Sequence, residues 1–327
     1  MKFEGINNIK SYYYNNPKLQ VILKMESSYV HRTIRKREDV GSQGTISSLK
    51  FTPDGKYIVC ASKNYIEMWD IESGNQVRKI KATKGTFSWV NDVAVSPDGK
   101  YIVSGIENIR AKVWEFSSGN LVWEAKTMAA VLKVDVSPDG KHAIGVARQY
   151  SGIRMWDLET GELIDKFKPG GLCRTFAISS DNNYIVYQRG KKAIYVWEIS
   201  SRSNIRELKT KKIGWVYSLV ITPDMKYVIS GSFNKLIRVW DFSTGEMINT
   251  LDGHKGPVYS LALTPDGKNL VSGSGDKTIK RWEISSRQLI STLTGHKGAV
   301  FTVAASPEGK YIASGSTDQT IKIWDLP

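Results

Sequence analysis

Few residues in this sequence are of the types that carry out acid–base, nucleophilic or metal chemistry. The 327 residues contain four histidines and two cysteines: His31, His142, His254, His296, Cys60 and Cys173. His31 and His142 lack companions at the spacing that a metal site requires, so we expect ordinary surface or packed roles for them. Two cysteines are too few for a disulfide scaffold or a cysteine-based zinc cluster, and we interpret both as small packed hydrophobic residues.

Two further patterns suggest chemistry, but neither has the spacing that the chemistry needs. GSGDKT at 273–278 lacks the GxxxxGK[ST] spacing of a phosphate loop, and it joins one predicted strand to another. An acidic residue recurs in turns such as TPDGK at 264–268, where it favours the turn itself. Since no nucleophile–base pair is visible, we expect no enzyme activity, no metal and no cofactor.

The elements that carry these residues repeat with a nearly constant period. Seven of the ten tryptophans are separated by 45, 42, 41, 43, 42 and 42 residues. They are Trp69, Trp114, Trp156, Trp197, Trp240, Trp282 and Trp324. A turn of the TPDGK type keeps the same step, at 52–56, 96–100, 137–141, 179–183, 222–226, 264–268 and 306–310. Two markers in phase over seven periods indicate stacked or radially arranged units.

Each unit predicts four short strands. The sixth unit contains VYSLALT at 258–264, KNLVSGS at 268–274, TIKRWEI at 278–284 and QLISTL at 288–293. Short runs rich in Val, Ile, Leu and Tyr, separated by Pro, Gly, Asp and Ser, are typical of strands and turns. No helical pattern of useful length occurs along the chain, so the predicted class is all-β.

The markers identify a resemblance to a known family. Asp or Glu follows each marker tryptophan, and Gly-His occurs at 253–254 and 295–296. Over residues 29–327 the sequence resembles the WD-repeat family. The resemblance implies four-stranded antiparallel blades that close into a seven-bladed β-propeller.

The ends of the chain suggest how the ring closes. The sequence ends just after the third strand of the seventh unit, whereas SSYVHRTIR at 27–35 aligns with the fourth-strand segment SSRQLISTL at 285–293. We therefore expect the N-terminal segment to complete the last blade and remove an exposed sheet edge. This prediction divides the chain into an N-terminal extension at 1–26 and a propeller at 27–327.

In the WD-repeat family a histidine, a serine, an aspartate and the marker tryptophan hydrogen-bond inside the blade. The matching residues are His254, Ser272, Asp276 and Trp282 in blade six, and His296, Ser314, Asp318 and Trp324 in blade seven. The resemblance implies a structural role, since a satisfied buried network rigidifies its blade. Other residues replace the histidine in blades one to five, namely Ser42, Thr86, Thr127, Pro169 and Lys212, and Lys63, Asn108, Tyr150, Lys191 and Asn234 replace the aspartate.

The net charge of +14 raises the question of an acidic partner. In the family, one face of the propeller is formed by the loops from strand four to the next strand one and by the turns between strands two and three. We call this the top face. When each charged residue is assigned to its predicted loop or strand, the whole excess of basic over acidic residues lies on the top face. The alternative is that these loop lysines only favour solubility.

Two tryptophans outside the marker series, Trp89 and Trp215, lie immediately before a predicted first strand. An aromatic residue at this place resembles part of the top-face partner site in related propellers such as the G-protein β subunit; packing against the neighbouring blade is the alternative. Tryptophan and arginine are enriched in binding hot spots. The candidate partner-binding residues are Trp89, Trp215, Phe87, Arg148, Arg189, Lys191, Lys192, Lys209, Lys211 and Lys212.

The leading hypothesis is a non-catalytic scaffold or adaptor that binds an acidic protein segment on its basic top face. The alternative is a nucleic-acid-associated propeller within a ribonucleoprotein or DNA-bound complex, with lysine and arginine on phosphates and tryptophan stacking on bases. No apolar run approaches the ~20 residues of a membrane span, and the N-terminus lacks a secretory pattern. We therefore expect a cytoplasmic, monomeric propeller within a larger complex, without membrane insertion.

Overall fold

The chain is a seven-bladed β-propeller, as the repeat predicts. The computed structural model describes residues 30–35, 44–84, 88–108, 110–148, 152–191, 193–208 and 214–326. In these ranges the regular secondary structure consists of β-strands. Twenty-eight strands form seven four-stranded antiparallel sheets. No helix in the described ranges is long and apolar enough to cross a membrane. The predicted extension at 1–26 lies outside the described residues.

The strands are numbered β1 to β28 in chain order. The first is β1 (Val30–Arg35). Blade one has β2 (Ile46–Phe51), β3 (Tyr57–Ser62), β4 (Tyr65–Asp70) and β5 (Gln76–Lys81). Blade two has β6 (Val90–Val95), β7 (Tyr101–Ile106), β8 (Arg110–Glu115) and β9 (Leu121–Lys126). Blade three has β10 (Val131–Val136), β11 (His142–Ala147), β12 (Ile153–Asp157) and β13 (Leu163–Phe167).

The second half repeats the same plan. Blade four has β14 (Phe176–Ile178), β15 (Tyr184–Arg189), β16 (Ala193–Glu198) and β17 (Ser203–Leu208). Blade five has β18 (Val216–Ile221), β19 (Tyr227–Ser232), β20 (Ile237–Asp241) and β21 (Met247–Leu251). Blade six has β22 (Val258–Leu263), β23 (Asn269–Ser274), β24 (Ile279–Glu283) and β25 (Leu289–Leu293). Blade seven has β26 (Val300–Ala305), β27 (Tyr311–Ser316) and β28 (Ile321–Asp325).

Blade seven takes its fourth strand from the N-terminal part of the chain. β1 pairs antiparallel with β28, with Val30 opposite Trp324 and Arg35 opposite Ile321. Ile34 of β1 is buried in a cluster that also contains Trp69 of blade one. The prediction that an N-terminal strand completes the last blade is therefore confirmed.

The hydrophobic core lies between neighbouring blades. One cluster joins Ile229 and Leu251 of blade five to Leu261 and Trp282 of blade six. Each marker tryptophan of blades five to seven is almost completely buried. Burying a large apolar side chain contributes roughly 1.5–3 kcal/mol, so this packing stabilises the ring at each interface.

The TPDGK turn keeps its composition because its geometry demands it. In blade six the Thr264 hydroxyl donates to the Asp266 carboxylate over 2.6 Å, and the same carboxylate accepts from the Lys268 N–H over 3.0 Å. Gly267 then adopts φ 67°, which glycine reaches without a Cβ clash. Met225 takes the same left-handed conformation, with φ 56°, in the blade-five turn.

Hydroxyl side chains on strand one link neighbouring blades beside the central channel. Ser218 accepts a hydrogen bond of 3.1 Å from the Leu261 N–H, and Thr302 accepts one of 3.1 Å from the Leu49 N–H. At the corresponding place in blade four, the Thr175 hydroxyl oxygen is buried and has no hydrogen-bond partner among the described residues. Blade four therefore meets blade five without this link.

Candidate partner-binding site

The polar residues predicted to act together in blade six lie within hydrogen-bonding distance of one another. His254 hydrogen-bonds Asp276 through Nδ1 and Ser272 through Nε2, each over 2.8 Å. The Trp282 indole N–H donates to the Ser272 hydroxyl over 2.9 Å. In blade seven the distances are 2.9 Å for His296–Asp318, 2.7 Å for His296–Ser314 and 2.7 Å for Trp324–Ser314. Both histidines are buried.

Both network aspartates are held in the charged form. Burial alone would raise the pKa of Asp276, but hydrogen bonds from His254, Thr278 and the Lys255 N–H hold it well below its usual range. The pKa of Asp318 is lowered in the same way. Because every acceptor oxygen of these carboxylates faces a donor, they stabilise their blades.

Blades two and five contain only parts of this network. In blade two the Trp114 indole donates to Ser104 over 2.9 Å, while the Asn108 amide donates to Thr83 over 3.3 Å. In blade five, neither the buried Trp240 indole N–H nor the Ser230 hydroxyl has a hydrogen-bond partner among the described residues.

Blade four has an unusual entrance on the top face. Its first strand, β14, begins only at Phe176, so residues 172–175 run past the blade without strand structure. A cleft of about 660 Å³ opens here. Residues from three connections, the end of strand β15 and strand β16 line it: Gly170, Gly171, Leu172, Arg189, Gly190, Lys191, Ala193, Tyr195 and Trp215.

Arg189 lies along the wall of this cleft, close to two glycines. Its Nε donates to the Gly170 carbonyl over 3.3 Å, and its guanidinium lies 5.6 Å from the centroid of the Tyr195 ring. A Cβ at Gly170 would come within 3.0 Å of the guanidinium, and one at Gly171 within 3.2 Å of the Arg189 stem. The two glycines therefore leave room for Arg189 to lie across the backbone.

Two further cations contact the ring of Trp215 in the same cleft. The Arg174 guanidinium lies 4.6 Å and the Lys191 ammonium 5.1 Å from the centroid of its ring. Cation–π contacts of this length are attractive. Among the described residues, none of Arg174, Arg189 and Lys191 forms an ion pair with a carboxylate. Three exposed positive side chains thus converge without a counter-ion from the described part of the chain.

An apolar recess lies beside the cleft, at the mouth of the central channel. The channel, about 500 Å³ in volume, is lined by the first strands of all seven blades. At its mouth Tyr217 lies 5.2 Å from Tyr259, which lies 4.6 Å from Phe301, measured between ring centroids. Trp89 lines the same recess, also about 500 Å³, and is 51% exposed. Phe233, 55% exposed, stands 6.4 Å from Tyr217.

The other predicted partner-binding residues are either engaged in an ion pair or lie outside the described residues. Arg148 pairs with Glu107 over 3.0 Å, so its charge is partly neutralised. Arg110, the first residue of β8, likewise pairs with Glu124. Five predicted residues lie outside the part of the chain that the structure describes: Phe87, Lys192, Lys209, Lys211 and Lys212.

The cysteines and the remaining acidic groups form no reactive cluster in the described ranges. Cys60 and Cys173 are both buried, and burial raises the pKa of the Cys173 thiol to about 12. A neutral thiol is a poor nucleophile and metal ligand. Nowhere in the described ranges do three His, Cys, Asp or Glu side chains lie close enough to hold a metal ion.

Sequence reasoning missed four residues at the channel mouth. Tyr217, Tyr259 and Phe301 are each the second residue of their blade's first strand, and Arg174 occupies the same repeat position two residues before β14. The repeat itself contains the signal, since strand-one residues of successive blades face the same channel. Reading this one position around the ring would have shown three aromatic residues in succession beside an arginine.

The comparisons with known proteins agree with this architecture. A family model described as "WD domain, G-beta repeat" matches residues 35–70, 74–115, 203–241, 245–283 and 287–325, together more than half of the chain. A closed ring of four-stranded blades built from these repeats is a WD-repeat β-propeller. The chain belongs to the WD-repeat family.

Several curated relatives match part of the chain. It is 26% identical over 229 residues to "WD repeat-containing protein 26 homolog" of Arabidopsis thaliana, covering 66% of this chain and 37% of that protein. It is 26% identical over 226 residues to "Nuclear distribution protein nudF" of Aspergillus niger, covering 65% and 43%. Identity is 21% over 216 residues with "Eukaryotic translation initiation factor 3 subunit I" of Candida albicans, covering 66% and 53%. The matches thus span about half or less of these relatives.

Proposed function

We propose that this chain is a non-catalytic adaptor that binds an acidic segment of a protein partner on its basic top face. WD-repeat proteins generally serve as scaffolds or adaptors in protein complexes. The described residues contain no metal cluster, and the two complete histidine–aspartate pairs are engaged in structural hydrogen bonds. We expect the adaptor to work as a single propeller within a larger, cytoplasmic complex.

One observation carries the proposal: three cations that have no carboxylate partner among the described residues converge around Trp215. Arg174 and Lys191 contact its ring, and Arg189 lies in the same cleft. Clustered positive charges repel one another, so an anionic ligand that neutralises them is favoured. Arginine matches a carboxylate through two parallel hydrogen bonds, and tryptophan beside arginine is typical of binding hot spots.

A nucleic-acid partner is the second candidate, and it rests on the same side chains. Phosphates would contact the cations, and an unpaired base would stack on the half-buried Trp215 ring. The aromatic recess beside the cleft favours the protein partner, because it offers a concave apolar surface for a side chain. The two candidates differ in their response to nuclease and to salt.

The proposal is tested by affinity capture with the full chain as bait, with and without nuclease. We expect a protein partner to remain bound after nuclease treatment. Arg174→Glu with Lys191→Glu should release it, because the cleft then carries negative charge. Both side chains are exposed, so the variant should fold, which circular dichroism and thermal melting check.

A matched control places two glutamates on the opposite face. Lys56→Glu with Lys310→Glu makes the same charge change in two TPDGK-type turns, and it should leave capture unchanged. Loss of the partner on nuclease treatment would favour the nucleic-acid candidate. Equal capture by the cleft variant and the wild type would overturn the basic-face proposal altogether.

A further inference from the structure

Two chemically different surfaces adjoin at the top of blade five. The cationic cleft contains Trp215, and the aromatic recess contains Tyr217. These residues are two positions apart where the chain enters β18, so their Cα atoms are roughly 7 Å from each other. Arg174 contacts Trp215 of the cleft and also lines the central channel, at whose mouth the recess lies.

The recess is built to accept an apolar group. Tyr217, Tyr259 and Phe301 form its aromatic wall across blades five to seven. Trp89 and Phe233 expose more than half of their surface at or beside it. Large aromatic side chains exposed together around a concavity are rare on a soluble surface unless a ligand covers them.

The cleft supplies the complementary charge. Arg174, Arg189 and Lys191 have no carboxylate partner among the described residues, and Arg189 is already held by the Gly170 carbonyl and the Tyr195 ring. A side chain fixed before binding loses less conformational entropy when its ligand arrives. The cleft is therefore prepared for an anionic group rather than for a further apolar one.

We infer that the partner segment is recognised by two neighbouring side chains, one acidic group in the cleft and one large apolar residue in the recess. This inference rests on the proposed function, because it specifies the acidic segment that the top face binds. An extended peptide advances about 3.3 Å per residue. The separation of Trp215 and Tyr217 therefore predicts an acidic and an apolar residue about two positions apart in the peptide, within a range of one to three positions.

A second copy of this chain is a poor occupant. Docked face to face, it would present the same three cations to the cleft, and like charges brought together in an interface are unfavourable. A protein segment carrying Asp or Glu next to Phe, Trp, Leu or Ile satisfies both surfaces at once. The apolar anchor supplies affinity, and the acidic group sets the register.

The test begins with selection from a displayed library of random dodecapeptides on the full-length protein. We expect enriched peptides to share an acidic residue and a large apolar residue one to three positions apart. One enriched peptide, labelled with fluorescein, is then titrated by fluorescence anisotropy. Replacing either the acidic or the apolar residue by alanine should weaken binding at least tenfold.

Protein variants assign each peptide residue to its surface. Trp89→Ala should lower affinity for the parent peptide and should make the peptide's apolar-to-alanine change nearly silent. Lys191→Gln should do the same for the acidic-to-alanine change. Non-additivity of this kind reports contact between the altered groups. Val77→Ala and Lys56→Gln, two exposed changes away from the top mouth, are the controls and should change nothing.

The outcomes separate this inference from the proposed function. Enriched peptides that are acidic but lack an apolar residue overturn the two-surface inference and leave the acidic-segment proposal standing. Peptides that bind equally well to Trp89→Ala and Lys191→Gln place binding elsewhere and overturn both. No enrichment, together with tight binding of a labelled oligouridine, also overturns both and favours nucleic acid.

Discussion

The Arg32 guanidinium donates a hydrogen bond of 2.6 Å to the carbonyl oxygen of Ile71. Arg32 lies in β1, the fourth strand of blade seven, whereas Ile71 follows β4 in blade one. The same kind of link recurs where the Trp123 indole of β9 donates to the Leu158 carbonyl of blade three over 2.8 Å. A fourth strand therefore stabilises the next blade as well as its own sheet.

Removal of residues 1–36 should give insoluble or strongly destabilised protein. Without β1, strand β28 becomes an unpaired sheet edge, and exposed edges promote aggregation. The burial of Ile34 and the Arg32 link would be lost as well. Solubility after expression and the thermal melting temperature measure the effect. Removal of residues 1–26 alone is the control and should leave the melting temperature unchanged. A 37–327 protein that melts like the full chain contradicts the closure.

Substitutions in the buried networks should rank the blades. Ser272→Ala or Asp276→Ala leaves polar groups of His254 and its neighbours unsatisfied, which costs about 1–3 kcal/mol each. Asn108→Ala should cost less, because this amide makes one long hydrogen bond of 3.3 Å to Thr83. Urea unfolding of the three variants measures the difference. Equal losses at all three sites would show that the two complete networks add no special stability.

Acid should weaken the propeller through the network aspartates. Their pKa values are lowered in the folded state, so their contribution is fully present above the unfolded-state pKa of about 3.9. It is lost as pH falls below that value toward the folded-state pKa. The stability gap between the wild type and Asp276→Asn with Asp318→Asn should therefore be largest near neutral pH and shrink below about pH 4. Urea unfolding at several pH values checks this.

Asn108→Ala, which removes no ionisable group, offers the control for this titration. Its difference in stability from the wild type should stay the same across this pH range. A gap for the double variant that stays constant down to pH 3 would mean that the two carboxylates contribute nothing through their charge.

The blade count and closure could be predicted because each repeat has strict local requirements. The turn needs a residue such as Gly267 in a left-handed conformation, and the interface needs a tryptophan such as Trp282. Fixed offsets fail where a loop changes length. The interval from Trp69 to Trp114 is 45 residues, three more than the interval of 42 that ends the series. The spacing between His254 and Trp282, counted back from Trp114, therefore selects Thr86 as the counterpart of the histidine. In the structure it is Thr83 that contacts Asn108.

The candidate site could be predicted only in part, because it depends on a departure from the repeat. Trp215 and Lys191 were found by position in the loops. Arg174 comes beside them because β14 begins late, at Phe176, and the preceding residues leave the sheet. Arg174 occupies the same repeat position as Tyr217, Tyr259 and Phe301, but the repeat does not show that β14 begins late, so the contact of Arg174 with Trp215 could not be predicted.

Salt dependence should distinguish the two candidate partners of the top face. For duplex DNA, log K falls steeply with log salt concentration, because each lysine or arginine on a phosphate releases a counter-ion. Lys191→Gln should then reduce the slope by about one. For an acidic peptide the slope should be shallow, since one or two carboxylates form the charged contacts. Fluorescence anisotropy at salt concentrations from about 50 to about 500 mM, a range that brackets physiological ionic strength, measures the slope for each partner.

Trp215→Ala completes this comparison. For a peptide partner we expect a loss of about 2 kcal/mol or more if Trp215 is a hot spot, and the loss should persist at high salt because it comes from apolar and ring contacts. The change also removes the ring that Arg174 and Lys191 contact, so a small loss of salt dependence should accompany it. Val77→Ala, an exposed apolar change on an outer strand, is the matched control. If Trp215→Ala binds the partner as tightly as Val77→Ala does, the cations around the ring do not form the binding surface, and the net charge of +14 then contributes to solubility alone.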